Sequence, residues 1–181
     1  MAVINGIPGS VNPNTRIKGF DVVLSNLNKE IQAIQGRTIQ GLIRAAIVIR
    51  RDMDRTPPLI PVTLGNLRAS WYIVTIKGLY TPAPSFKLEE GDHKLSAKQY
   101  AELQESYSSA ISEAQGMVAG STKNNPFLVM GFGANYALWV HEMLGDIDWN
   151  RTNSGPKFFE AAVKRNKDKI LQIIADNIKI E

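Results

Sequence analysis

The stretch Phe127–Leu144, FLVMGFGANYALWVHEML, constrains the fold of this chain more than any other. It reads as a strand, a glycine turn and a short amphipathic helix run together. Phe127, Leu128, Val129 and Met130 form a compact apolar run behind Pro126, the pattern of a buried strand. Gly131 and Gly133 give the backbone access to positive φ and so predict a tight turn. Asn135 is the expected N-cap of the helix that follows. From there Tyr136, Val140 and Met143 or Leu144 recur at helical spacing. The unit carries no catalytic pattern. It sets Trp139, His141 and Glu142 at fixed angles.

Helix-period segments lie on both sides of this unit. Leu24, Leu27, Ile31 and Ile34 predict a first helix, and Gly36 marks a break. A second helix is expected from about Thr38 to Arg55, with Ile39, Leu42, Ile43, Ala46, Ile47 and Met53 on its apolar face. Arg37, Arg44, Arg51 and Arg55 fall within about 40° of one another at 100° per residue, so they form a stripe on the opposite side. A charged outer face on an amphipathic helix is ordinary. The same stripe also suits an acidic partner or a DNA backbone, through the bidentate arginine fork. Thr56-Pro57-Pro58 ends the helix. A turn over Pro61–Ser70 leads into Trp71–Ile76, whose aromatic and β-branched residues predict a strand.

Residues 78–125 read as an insertion, with loops at Pro82, Pro84 and Gly91. Within it Ser96-Ala97-Lys98-Gln99 is a capping box. The helix it opens puts Tyr100, Leu103, Tyr107, Ala110, Ile111 and Ala114 on one face and ends near Gly116. The closing helix is expected from about Lys157 to Ile178. Its apolar stripe begins at Phe158, Phe159, Ala162 and Val163, lapses over Lys164–Lys169, and resumes at Ile170, Leu171, Ile173, Ile174 and Ile178. Such a lapse predicts two different neighbours: its own domain for the first half and another subunit for the second. Residues 1–15 are rich in Gly, Pro, Asn and Ser. They read either as a frayed end or as an extended arm that lies on a neighbour, anchored by Val3, Ile4, Ile7 and Val11. The organisation expected is an arm over 1–19 and one domain over 20–181.

Composition narrows the function classes. The 181 residues are 44% hydrophobic and 21% charged, which suits a globular core and not a disordered chain. There is no cysteine, which excludes disulfides and thiolate metal sites. No basic segment followed by an apolar one opens the sequence, so no signal peptide is expected. No apolar run approaches the roughly 20 residues of a membrane span. The net charge of +4 is uneven: residues 1–90 hold 11 basic and 6 acidic side chains, residues 91–181 hold 10 and 11. That excess is modest for tight DNA binding. His141, Glu142, Asp146 and Asp148 are close in sequence but match no metal-ligand spacing, and adjacent helical residues such as His141 and Glu142 point about 100° apart. Gly131-Phe132-Gly133 lacks the third glycine and the βαβ setting of a dinucleotide site, and Ser70 lies in no G-x-S-x-G elbow. No catalytic, cofactor or metal residues are therefore assigned, and an enzyme is the least supported class.

Three motifs in order carry a resemblance: PVTLGNLRAS over Pro61–Ser70, ANYALWVHE over Ala134–Glu142, and GPKFFEAA over Gly155–Ala162. Together they resemble the neck, or tail-completion, proteins of long-tailed bacteriophages, across roughly residues 20–175. Thr63-Leu64-Gly65 is one residue longer than the family's Thr-Gly, and the glycine-threonine usual after the Tyr-Ala helix is absent. The resemblance implies an α+β fold, helices packed on a small antiparallel β-sheet, to which the residues themselves add an extended N-terminal arm and a long C-terminal helix. It implies a ring, most often of six copies, at the head–tail junction of a virion assembled in the host cytoplasm. The partners implied are adjacent neck or connector proteins, tail-terminator or tail-tube proteins, and passing genomic DNA touched without sequence preference. Subunit contacts are expected at Val3, Ile4, Ile7, Trp139, His141, Ile170, Ile174 and Ile178, with the Arg37, Arg44, Arg51 and Arg55 stripe facing the channel or a partner. The alternative expectation is a DNA-binding or packaging accessory protein that uses that stripe.

Overall fold

The computed structural model describes residues 20–122, 125–145 and 147–178; the side chains of 20–28, 30–35 and 178 lie outside what it describes. The expectations for Val3, Ile4 and Ile7, for the helical face Leu24–Ile34, and for the side chain of Ile178 therefore fall outside the described residues. The described elements run α1 (Phe20–Arg55), α2 (Asn66–Ala69), β1 (Trp71–Thr75), β2 (Gly78–Leu79), β3 (Glu89–Glu90), β4 (His93–Lys94), α3 (Ala97–Val118), β5 (Val129–Phe132), α4 (Ala137–Glu142), α5 (Phe158–Arg165) and α6 (Lys167–Ile178). The fold is α+β, with one antiparallel sheet in the order β2-β1-β5 and a separate β3-β4 hairpin.

β1 is the centre of the molecule. It pairs with β5 from Trp71 opposite Phe132 to Val74 opposite Val129, and with β2 through Val74 and Leu79. Trp71 and Ile73 point into a cluster with Ala46, Ile49 and Met53 of α1 and Phe158 and Ala162 of α5. Tyr72 and Val74 point the other way, against Ala114 and Val118 of α3. A strand covered on both faces shows no in-out alternation, which is why WYIVT is apolar almost throughout. α3 is thus one of the sheet's two covers, although its segment read as an insertion. The Ser96–Gln99 capping box forms as expected, while the helix runs through Gly116 to Val118.

Three helical expectations are corrected. α1 is continuous through Gly36: an interior glycine costs about 1 kcal/mol against alanine, too little to break a 36-residue helix. α4 starts at Ala137, with Tyr136 at the N-cap position and no side-chain cap, so Asn135 does not cap it. The C-terminal segment is two helices. The chain breaks at Asn166, inside the lapse of the apolar stripe, and Asn166 Nδ2 donates to the carbonyl of Ala162 at 2.9 Å. The second half has its neighbour within the chain. α6 packs along α1, with Asn177 Oδ1 accepting from Arg44 Nη1 at 2.9 Å and Ile174 and Asn177 seated against Gly41.

The two glycines of the central unit serve a different purpose from the one expected. Gly131 lies within β5, opposite Tyr72, and neither it nor Gly133 has positive φ. A Cβ at Gly133 would stand 2.7 Å from Tyr107 Cδ2, and one at Gly131 would stand 3.1 Å from Tyr72 Oη. They are glycine because tyrosines from α3 and β1 pass directly over the strand.

Candidate interaction surface

The PVTLGNLRAS segment is the junction on which the candidate surface is built. Gly65 precedes α2 at φ 81°, a left-handed conformation that favours glycine. Asn66 is buried, and its amide makes a reciprocal pair with the backbone of Lys87: Nδ2 donates to the carbonyl at 2.9 Å, and Oδ1 accepts from the N–H at 2.7 Å. Ser70 Oγ donates to the carbonyl of Leu67, and the carbonyl of Ser70 accepts from Gly133 N–H at 2.9 Å. Arg68 Nε lies 2.9 Å from Asp54 Oδ1, which ties the segment to α1. Arg50 also holds Asp54, at 2.5 Å, and burial pushes the Arg50 guanidinium below its ordinary value against the opposing pull of that carboxylate. Arg151 closes the set from the far end of the chain, donating to the backbone carbonyls of Asp54 at 2.8 Å and Ile60 at 3.3 Å. The motif residues are joints of the scaffold. Ser70 has no base beside it and is fully buried, so it is not poised as a nucleophile.

A groove of about 330 Å³ opens between this junction, α4 and the loop after it, with Leu64, Leu95, Tyr136, Trp139, Val140 and Trp149 among its walls. Its rim is tied by Asn150 Nδ2, which donates to Thr63 Oγ1 at 3.2 Å. Val140 is buried beneath, but the outer side of α4 and the residues just after it are not covered: Leu138 is 73% exposed, Trp139 63% and Leu144 75%. Three large apolar side chains are thus exposed within seven residues, beside an aromatic groove, and exposed apolar surface of this kind marks contact with another molecule. Tyr136 bridges patch and scaffold. Burial pushes its phenol up to about 12, against a hydrogen bond to the Leu67 backbone that works the other way.

His141, expected at a subunit contact, is engaged within the chain. Its ring packs edge-on against Phe158 at 5.1 Å, and its Nδ1 lies 2.7 Å from Glu142 Oε1. The two side chains do converge, although adjacent helical positions point about 100° apart. Lys157 completes this joint. Its N–H donates to the carbonyl of His141 at 2.8 Å, and its ammonium pairs with Glu142. The Lys157 hydrogen bond, followed by that of His141, holds the Glu142 carboxyl below its ordinary value, and the same contact with Glu142 raises Lys157. Ile170 and Ile174 are half-buried along α1.

The arginine stripe divides. Arg44 turns to Asn177 of α6, and Arg37 is half-buried. Arg51 and Arg55 remain exposed and line a shallow cleft with Lys169, beside Asp52 and Asn166. Arg165 and the cluster around Asp54 escaped the sequence reading, since their partners lie far away along the chain. Among the described residues there is no group of three or more His, Asp or Glu placed to hold a metal ion, and no helix is long and apolar enough to cross a membrane. Set against protein-family models, curated proteins and solved structures, the chain matches none.

Proposed function

We propose that this chain is a structural subunit of a bacteriophage virion that assembles with copies of itself into a ring at the head–tail junction. There it completes or couples the tail and leaves a channel for DNA. It works by holding neighbours in place and not by transforming a substrate. Its partners are its own copies, six in a ring, and the connector and tail-terminator or tail-tube proteins above and below. The observation that carries the reading is the uncovered face of α4 and its exit, where Leu138, Trp139 and, just past the helix, Leu144 stand in solvent beside an apolar groove. The order of the three sequence motifs supports it. So does the use of their residues as structural joints, with Asn66, Ser70 and Arg68 all committed to scaffold contacts. Light scattering over a concentration series, with negative-stain imaging, tests the proposal. Rings with a central channel are expected, and a protein that stays monomeric throughout would overturn it.

A second reading draws on the cleft of Arg51, Arg55 and Lys169: a DNA-binding or packaging accessory protein. Titration of duplex DNA across salt concentrations separates the two. Tight binding near physiological salt, with a slope worth several phosphate contacts, favours the accessory reading. A ring whose channel lets the genome pass should bind weakly.

A further inference from the structure

A second cleft, of about 470 Å³, is walled by Arg50 of α1, Arg68 of α2, Ser85 and Lys87 of the loop after β2, and Glu90 of β3. Its cations outnumber the carboxylates that meet them. Asp54 alone answers three guanidinium groups, with Arg50 at 2.5 Å, Arg68 at 2.9 Å and Arg151 at 3.9 Å. Glu90, on the cleft wall, is held by Lys87 at 2.7 Å. Four cations therefore share two carboxylates. The surplus acts inside the protein as well. Burial pushes the Arg50 guanidinium down, Asp54 pulls it back up, and the charges of Arg68 and Arg151 push it down again.

Arg68 is tied to the scaffold by charge, yet its donors are free. Its contact with Asp54 is an ion pair without a hydrogen bond: Asp54 Oδ1 is buried and accepts none. Among the described residues no acceptor takes any of the five N–H groups of Arg68. Arg50, by contrast, is committed to Asp54 and to the carbonyl of Arg68 at 3.4 Å. The Arg68 side chain is 42% exposed, open enough to be reached from solvent. A planar fork with unengaged donors takes a carboxylate or a phosphate bidentately. The surroundings select between the two. A nucleic-acid backbone needs a run of free cations to follow it. Here Lys87 and Lys94 are already held by Glu90 and Glu89, and Asp92 adds a further negative charge between β3 and β4. One free fork beside an acidic hairpin suits a single negative charge and repels a chain of them.

We infer that this cleft binds one carboxylate, clasped by the Arg68 fork, with Arg50 and Lys87 supplying the surrounding positive charge. The site does not depend on the ring reading and stands or falls separately from it. Titration calorimetry on the full-length chain tests it with three probes: acetate, a capped tripeptide with one central glutamate, and the glutamine counterpart of that peptide. The glutamate peptide should bind saturably and at least about tenfold more tightly than the glutamine peptide, the scale of a charge-assisted hydrogen bond. Arg68→Gln should abolish that preference, and Arg68→Lys should restore only part of it, because an ammonium is a point charge and not a fork. Ser85→Glu keeps the test open should Arg68→Gln fail to fold. Ser85 is exposed on the cleft wall and outside the Asp54 cluster, so the new carboxylate should compete from within and weaken the peptide by at least about tenfold. Tighter binding of the peptide than of acetate supports the site and assigns the carboxylate to a protein segment; the reverse supports it and assigns a small free acid. Four results overturn the inference. They are no saturable binding of either carboxylate, equal binding of the glutamate and glutamine peptides, affinity unchanged in both Arg68→Gln and Ser85→Glu, and a DNA duplex that binds more tightly than the carboxylates and is released by both substitutions.

Discussion

Arg165 holds Asp52 across 113 residues of sequence, with Nε at 3.0 Å and Nη2 at 2.5 Å from the same carboxylate oxygen. The guanidinium also donates to the carbonyls of Thr56 and Pro57 at 3.1 and 2.8 Å. It therefore occupies the C-terminal end of α1, where carbonyls lack helical partners and a cation is favoured, while anchoring the junction between α5 and α6. Arg165→Ala should lower stability by about 1–3 kcal/mol, the range for charge-assisted hydrogen bonds of this kind. Arg165→Lys should recover less than half of that, because an ammonium cannot replace the planar fork. The urea midpoint at constant m-value checks both.

Gly133→Ala should cost about 1–3 kcal/mol, as overpacking does, since its Cβ would press on both the ring and the Cα of Tyr107. Gly36→Ala should instead stabilise by up to about 1 kcal/mol, because no described residue beyond its own helical turn lies within 4 Å of the added methyl and the residue sits inside a helix. Thermal unfolding of the two variants should move in opposite directions.

Asn66→Ala strips both hydrogen bonds from the Lys87 backbone and should cost about 2–3 kcal/mol, the penalty for leaving partly buried donors and acceptors unmet. Asn66→Asp should not rescue it, since the carboxylate keeps the acceptor but loses the donor and brings a buried charge. Amide exchange at Lys87 provides a local readout: its protection should fall further than the global stability does.

Two titrations have opposite signs. The Glu142 carboxyl is held below its ordinary value by Lys157 and His141, so its contribution is present above the unfolded carboxylate pKa and is lost as pH falls through the folded one. Glu142→Gln should therefore be less stable than the parent at neutral pH, and the difference should shrink as pH falls below the ordinary carboxylate range, in denaturation curves run across the acid range. Tyr136 goes the other way. Its phenol is raised to about 12, so the stabilisation from keeping it neutral is complete below the unfolded value of about 10 and is lost as pH climbs toward 12. In an ultraviolet titration Tyr136→Phe should remove one of the last tyrosines to ionise.

Leu138→Asp tests the uncovered patch directly. The residue is on the solvent side of α4, so the fold should lose no more than about 0.5 kcal/mol, the usual range for surface changes. The self-association measured by light scattering should drop sharply in the same variant.

What could be read from the sequence was local. The Ser96–Gln99 capping box, the β1 run and the lapse in the closing stripe all depend on residues within one or two turns of each other, and each marks a real feature of the fold. The misreadings share a different origin. Gly131 and Gly133 looked like turn residues because the tyrosines that require them, Tyr72 and Tyr107, lie 59 and 26 positions away. Gly36 looked like a break because its local cost was counted without the length of helix on either side. His141 and Glu142 were separated by a Cβ-direction argument that ignores how far two long side chains can swing. The candidate surface was legible in Trp139 alone. Leu64, Leu95 and Trp149 come from three separate segments, brought together by the Asp54 and Asn66 joints and by Asn150 on Thr63.

Among the described residues, α6 meets α1 at Gly41, where Asn177 and Ile174 lie against the longer helix. From that fulcrum α1 runs on for 21 residues to Phe20, a lever arm of about 31 Å. A 5° tilt at the fulcrum swings its tip by roughly 3 Å, as helix rise alone dictates. Whatever grips that tip therefore registers, in amplified form, how the body of the protein is oriented.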